Sequence, residues 1–337
     1  MEETKLSMYQ LYKEMLNNYL SEQSEEVLYN AQQFSKEMME KDMSPEEMVS
    51  LHISVFQEIK PDLPKEVVDS FDLLLEVMIG YGLAYREHQS LRDRQRQLES
   101  ELNVAARMQQ SLLPENKVDM EDVDFGVISV PAGKMSGDYY HYIQDEHGCV
   151  GVAVADVIGK GVPAAMCMSM IKYAMDSLPE QRLQPGDLLE NLNRVVERNI
   201  DDDMFITMMY GSYDPRDHKF HFASAGHEPG FYYRAKEDRF EELETKGLVL
   251  GIMPKTSYNE SSYQMETGDF IVLLSDGVTE CRTEGDFIER EKITDMIRNY
   301  KHLSAQEIVN NVYRDLEKMQ DFQLRDDFTL LILRKNV

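Results

Sequence analysis

The sequence predicts an α+β chain in three parts: an N-terminal helical bundle, a helical linker, and a C-terminal domain of two sheet layers with helices outside. Three observations predict it. Up to about residue 84 apolar residues recur at helical spacing and no strand pattern occurs. A seven-residue repeat then runs to Pro114. Beyond Pro114, strand-like runs with turn signals are interrupted by paired helical runs.

In the first part, "KLSMYQLYKEMLNNYL" places Tyr9, Tyr12, Leu16, Tyr19 and Leu20 at helical intervals, and "EEVLYNAQQFSKEMMEK" repeats the pattern. "SPEEMVSLHISVFQEI" opens with a capping box, Ser44 with Glu47 three residues on and Pro45 at the first helical position. Pro61 and Pro64 interrupt the chain, and Pro64 suits the start of a fourth helix. A bundle of about four helices over residues 1–84 follows.

From residue 85 to 114 the reading is a linker. Ala84, Leu91, Leu98, Ala105 and Leu112 recur every seventh residue, with His88, Gln95, Leu102 and Gln109 at the partner position. The seam is apolar on one side and mostly polar on the other. This describes either a weak coiled coil joining two copies of the chain or a single amphipathic helix.

In residues 115–337, "DVDFGVISVP" reads as a strand and "DYYHYIQDEHGCVGVAVAD" as a hairpin turning at Asp145 to Gly148. Two helical runs follow, "PAAMCMSMIKYAMDSL" and "PGDLLENLNRVVERNI". "MFITMMYGSYDPRDHKFHFASAG" returns to strands with Asp214-Pro215 as the turn, and "GFYYR" and "DFIVLLSD" continue them. Two late helices precede a last strand, "DFTLLILRK".

Composition narrows the function. The chain has 337 residues and a formal net charge of −27. Such a surface repels nucleic acid and anionic membrane. No run long enough to cross a membrane occurs, and the N-terminus lacks a basic region followed by an apolar one. Cys149, Cys167 and Cys281 form no CxxC pair, which argues against zinc and disulfides and fits a reducing cytoplasm.

The chemistry concentrates in carboxylates at strand ends. Asp138 opens one strand, Asp156 ends the next, Asp276 ends a third, and Asp326 and Asp327 open the last. Converging carboxylates repel one another unless cations occupy the site. All-oxygen ligation suits magnesium or manganese rather than zinc. "GKG" at 159–161 lacks the spacing of a phosphate-binding loop, so its glycines serve a tight turn. His227 in "SAGHEP" is catalytic, or else it is structural or positions a neighbour. Cys281 lacks a local basic partner and is not a nucleophile. The methionines of "AAMCMSMIKYAM" pack a core.

At these residues the sequence resembles the PPM-type metal-dependent serine/threonine phosphatases, in their SpoIIE-like branch. The motifs are "PAGKMSGDYY", "VADVIGKGVPAA", "ASAGHEPG", "LLSDGVTE" and "RDDFTLLIL", over about residues 121–337. The helical first part and the linker resemble members that regulate the general stress response of Bacillus-type bacteria. The resemblance implies a β-sandwich flanked by helices and two divalent ions, Mn2+ or Mg2+. Asp156 would bridge both ions. Asp276 and Asp326 would hold one, and Asp138 and the Val157 carbonyl the other. The catalytic set it implies is Asp156, Asp276 and Asp326. It also implies a phosphorylated anti-anti-sigma factor of the RsbV type as substrate, an RsbT-type switch kinase as activator bound by the N-terminal domain, and a homodimer. The general-acid histidine of eukaryotic relatives is absent, because Val157 and Ile158 follow Asp156. Their phosphate-binding arginine is also not evident, and Lys134 and His227 are weak substitutes. Two other readings compete: a scaffold that has lost activity, which the retained carboxylates disfavour, and a hydrolase of small phosphates.

Overall fold

The structure, a computed structural model, describes residues 2–114, 122–145, 147–159, 161–177, 184–200, 204–283, 286–320, 322 and 324–336. It divides into two compact units, Met1–Glu99 and Ser100–Val337.

The first unit contains α1 (Glu2–Ser21), α2 (Glu25–Glu40), α3 (Pro45–Ile59) and most of α4 (Lys65–Gln110). Each interior start has its cause in sequence. Ser24 caps α2, and Ser44 and Glu47 form the expected capping box of α3. The core is small: Phe34, Met38 and Val55 are buried, and Tyr12 packs on Phe34. His52 stacks on Phe56 and meets the Tyr12 hydroxyl at 2.9 Å. Sequence places a fourth helix and a linker end to end; they are one helix of 46 residues. Gly80 and Gly82 weaken a helix by about 1 kcal/mol each without ending it, and no proline intervenes before Pro114. On α4, Leu73, Val77, Tyr81, Leu83, Leu91 and Leu98 are exposed.

The second unit is a sandwich of two antiparallel sheets. Its strands are β1 (Val123–Val130), β2 (Asp138–Gln144), β3 (Val150–Val157), β4 (Ile206–Asp214), β5 (Lys219–Ala225), β6 (Gly230–Arg234), β7 (Arg239–Leu243), β8 (Glu260–Gln264), β9 (Phe270–Leu274), β10 (Arg282–Thr283), β11 (Asp286–Phe287) and β12 (Phe328–Lys335). One sheet runs β1-β12-β9-β6-β7 and the other β2-β3-β4-β5-β8, with β10 and β11 a separate two-stranded ribbon. The helices are α5 (Val162–Asp176), α6 (Pro185–Asn199), the single turn α7 (Asp276–Thr279), α8 (Arg290–Tyr300) and α9 (Ala305–Met319). Alternation sorts each strand's residues between two cores. Val150, Val152 and Val154 face the other sheet, while Ala153, Ala155 and Val157 face α5 and α6. Likewise Leu331 and Leu333 face inward, while Leu330 and Ile332 lie with residues of α8 and α9.

β2 and β3 form the expected hairpin. Asp145 closes its turn by accepting from the amides of His147 and Cys149; Glu146 lies outside the described residues. Residues 115–121, the expected start of this domain, and Lys160 of "GKG" also lie outside them. Sequence reading does not find β7 and β8. "RFEEL" and "ESSYQ" are mostly polar edge strands that bury little beyond Leu243.

His141 is buried between β2 and the α5 side of the sheet, beside the Tyr139 hydroxyl at 3.0 Å. Burial pushes its pKa down to about 4; Asp176 opposes this and Lys172 adds to it. In the unfolded chain a histidine titrates near 6.5. The unfolded state therefore takes up the proton first as pH falls. The stability this neutral histidine contributes is present above about pH 6.5 and is lost on the way down to about pH 4. Thermal melts should show the parent losing on the order of 2–3 kcal/mol more between pH 7 and pH 4 than His141→Asn does. Identical pH dependence in both would contradict the burial argument.

Candidate active site

The inward-facing positions of seven strands are apolar along most of their length and turn polar at one end. In β3 the position after Val150, Val152 and Val154 is Asp156. In β2, Tyr142 and Tyr140 give way to Asp138. In β12, Leu333 and Leu331 give way to Thr329 and then Asp327. Ile271 and Leu273 of β9 lead to Ser275, and Phe220 and Phe222 of β5 lead to Ser224. Thr207 of β4 and Ser129 of β1 complete the layer. A period of two thus carries each strand's core-facing row straight into a polar end.

Hydrogen bonds knit this end across the sandwich. Asp138 and Asp156 are direct cross-strand partners in one sheet. From the other sheet, Ser275 donates its hydroxyl to Asp138 Oδ2 at 2.6 Å and accepts the Thr329 amide at 3.0 Å. Asp138 is almost fully buried, which pushes its carboxyl well above the usual range. The hydrogen bonds from Ser275 and Thr329 oppose this shift, and the charges of Asp156 and Asp327 add to it. Asp276, at the first turn of α7, is also raised, by burial first and then by Asp326 and Glu280. Burial is the main cause of both shifts, and neighbouring carboxylates add to each.

Asp326 and Asp327 divide their roles. Asp327 is buried and accepts the amides of Ala132 at 2.7 Å and Gly137 at 2.6 Å, so its carboxylate fixes the loop before Asp138. Asp326 is half-buried, accepts the Asp327 amide at 3.0 Å and acts electrostatically on Asp276. A side chain on Gly277 would collide with the Asp327 carbonyl, so α7 starts hard against this strand end.

The donor set fits a hard divalent cation. A Cβ on Gly137 would lie 3.1 Å from Asp156 Oδ1, 3.1 Å from the Val157 carbonyl oxygen and 3.3 Å from that of Gly159. Three oxygens therefore converge on the open side of Gly137, where any side chain would crowd them. Gly159 and Gly161 both have positive φ, which turns that backbone inward behind Asp156. Among the described residues no three His, Cys, Asp or Glu side chains close on one point. Magnesium and manganese accept that arrangement, since they take one or two carboxylates and complete the shell with carbonyls and water.

The other residues named from sequence divide between the rim of this site and the core. Lys134 is exposed on the loop before Asp138 and lines a small pocket with it. Cys281 is buried, and burial raises its thiol to about 11, which removes it as a nucleophile. Met168 and Met175 of α5 are buried in the core, as expected. His227 is buried and does not line an open surface. Gln109 departs most from its expected place. Instead of lying on a helix seam it is 5 % exposed, paired with Ser136: its Nε2 donates to the Ser136 carbonyl at 2.6 Å and its Oε1 accepts the Ser136 amide at 2.9 Å. Leu112 and Leu113 pack on the core beneath α5 and α6. The amide of Asp138 in turn bonds the Ser136 hydroxyl at 3.0 Å. Sequence reading assigns Gln109 to the repeat because a heptad position carries no sign of which surface it meets.

A two-sheet sandwich with helices outside and a carboxylate-rich end is the architecture of a metal-dependent protein phosphatase. The chain belongs to the SpoIIE family of serine phosphatases: the family model "Stage II sporulation protein E (SpoIIE)" matches residues 146–336. A second model, "Phosphoserine phosphatase RsbU, N-terminal domain", matches residues 10–84. The chain is 54% identical over 328 residues to phosphoserine phosphatase RsbU of Bacillus subtilis (strain 168), across 97% of this chain and 98% of that protein. It is 23% identical over 186 residues to phosphoserine phosphatase RsbP of the same organism, 53% of this chain and 45% of that one. Among solved structures, the SiaA-PP2C domain of Pseudomonas aeruginosa superposes with a TM-score of 0.63 at 20% identity, covering 72% of this chain and 99% of that one. The phosphatase domain with a regulatory fragment of SpoIIE from Bacillus subtilis gives 0.51 at 21% identity, covering 64% of this chain and 62% of that one. These two likenesses support the fold.

Gln109 holds the loop that leads to Asp138, so its loss should be felt at the site. Gln109→Leu would leave the Ser136 amide and carbonyl without their partner, at a cost of about 1–3 kcal/mol. A lower melting temperature together with lower turnover is expected, measured on the full chain. Unchanged values of both would show that the pairing has no effect.

Proposed function

We propose that the chain removes phosphate from a phosphoserine of a folded protein, an anti-anti-sigma factor of the RsbV type, and is switched on by an RsbT-type kinase bound through its N-terminal helices. The end-to-end match to phosphoserine phosphatase RsbU, including the N-terminal unit, is the observation that carries this reading. It acts in the cytoplasm, on a pathway that controls a stress-response sigma factor. Support for metal dependence comes from the oxygen-lined spot at Gly137 and the excess negative charge around Asp138 and Asp276.

Asp138, Asp156 and the Val157 carbonyl would hold one divalent cation, and Asp156, Asp276 and Asp326 the second, with Mn2+ or Mg2+ as the ions. When bound, such ions lower the pKa of water and neutralise charge on a phosphoryl group. The chain's own residues supply position. Asp327 and Gln109 fix the loop that carries Asp138, and Ser275 orients the Asp138 carboxylate. Among the described residues no arginine joins the hydrogen-bonded carboxylate end, so docking of a whole protein would orient the phosphate. A dimer made through α4 is compatible with the exposed Leu91 and Leu98.

Turnover of a phosphoserine protein of the RsbV type, beside a small aryl phosphate, tests the reading. Activity should require Mn2+ or Mg2+ and favour the protein substrate. Asp156→Asn should abolish turnover while the chain stays folded, because removing one anion relieves repulsion in the cluster. Full activity in excess chelator, or in Asp156→Asn, would overturn it.

The first unit contains none of the proposed ligands. A fragment of residues 100–337 should keep basal, metal-dependent turnover and lose its response to the activating kinase. A fragment beginning at 115 lacks Gln109, Leu112 and Leu113 and should be less stable and less active. Equal behaviour of the two fragments would show the last turn of α4 to be dispensable.

A further inference from the structure

We propose that His227 is a positioning residue that bolts the two sheets together at the active end and so sets how the Asp138–Asp156 pair stands relative to Asp276. This rests on the metal-site reading above.

His227 follows Ser224 and Gly226 in the loop between β5 and β6. Gly226 has φ +66, and a side chain there would collide with Val249, so the loop takes a tight path that only glycine permits. The His227 amide donates to Ser224 Oγ at 3.2 Å, which anchors the loop to the polar end of β5. The ring then spans the sandwich. Nδ1 lies 2.8 Å from Thr207 Oγ1 in one sheet, and Nε2 lies 3.1 Å from the Leu274 carbonyl at the end of β9 in the other.

The chemistry of these partners assigns the proton. A carbonyl oxygen only accepts, so Nε2 carries the hydrogen and donates it to Leu274. In a neutral ring Nδ1 is then the acceptor, and the Thr207 hydroxyl donates to it. Burial holds the ring neutral, pushing its pKa down to about 4 although the Leu274 carbonyl opposes the shift. Both ends of this bridge abut the site. Thr207 is the cross-strand partner of Asp156. Leu274 precedes Ser275, which holds Asp138, and Asp276 follows. A change in the bridge therefore moves the two halves of the ligand set relative to each other, without His227 touching phosphate or metal.

The test uses the full chain and three single variants, Thr207→Val, Thr207→Ser and His227→Phe, with Asp156→Asn as comparator. Mn2+ binding is measured by titration calorimetry, and turnover of the protein substrate is resolved into kcat and KM. Thr207→Val keeps the shape and removes the donor. It should weaken Mn2+ binding and lower kcat by about 10- to 100-fold, the range known for groups that orient metal ligands, with KM within about twofold. Thr207→Ser keeps the hydroxyl and should restore both. Combining Thr207→Val with His227→Phe should be no worse than the poorer single variant, because both break one bridge. Mn2+ binding and kcat at parental levels in Thr207→Val and a folded His227→Phe, with Asp156→Asn alone losing the metal, would overturn the role of His227 while leaving the site reading intact. Parental Mn2+ binding in Asp156→Asn would instead overturn the site reading itself.

Discussion

Buried negative charge has to be balanced, and this fold gathers it at one end of an otherwise apolar sandwich. Asp138 has almost no contact with solvent, and Asp156 lies directly across the strand pair from it. A lone buried carboxylate in such a place would take up a proton; a cluster of them attracts a cation instead. Everything else at this end of the molecule answers that constraint. Ser275 and the Asp327–loop bonds hold acceptors in place against their mutual repulsion, and Gly137 leaves the room in which oxygens converge.

The two sheets contribute unequal shares. One brings the Asp138–Asp156 pair and the Val157 carbonyl; the other brings Ser275, Asp276, Asp326 and Asp327. The apolar layer between them keeps the sheets in contact but is non-directional and does not fix their register. Directional bonds at the active end do that. The Ser275–Asp138 bond and the Thr207–His227–Leu274 bridge cross from sheet to sheet within a few residues of Asp138, Asp156 and Asp276.

Much of this was legible in sequence, for a physical reason. Asp156 ends a run of valines and alanines, and Asp276 and Asp326 stand at the ends of "FIVLL" and "FTLLIL", so period and composition announce both the strand and its break. The helices of the first unit show their caps in Ser44 and Glu47. What sequence hides is what contacts decide. The edge strands β7 and β8 carry only a few apolar residues among charged and polar ones, and α4 shows no internal stop to separate bundle from linker. Gln109 fits a heptad as well as it fits Ser136, and only the fold distinguishes the two. The separate duties of the adjacent Asp326 and Asp327 likewise depend on which way each side chain turns.

The polar edge strands have a consequence for how copies of this chain can meet. A sheet edge offers unpaired amides and carbonyls to any passing strand, and long flat apolar edges seed aggregates. β7 carries Arg239, Glu241 and Glu242, with Arg239 and Arg234 both bonded to Glu241, and β8 opens on Glu260. Strand addition at either edge would bring those charges together without water, and a chain at −27 would repel its own copy there. Those two edges are thereby guarded against strand addition, which leaves β1 and β2, at the opposite edges of the two sheets, as the strands with open edges of lower charge.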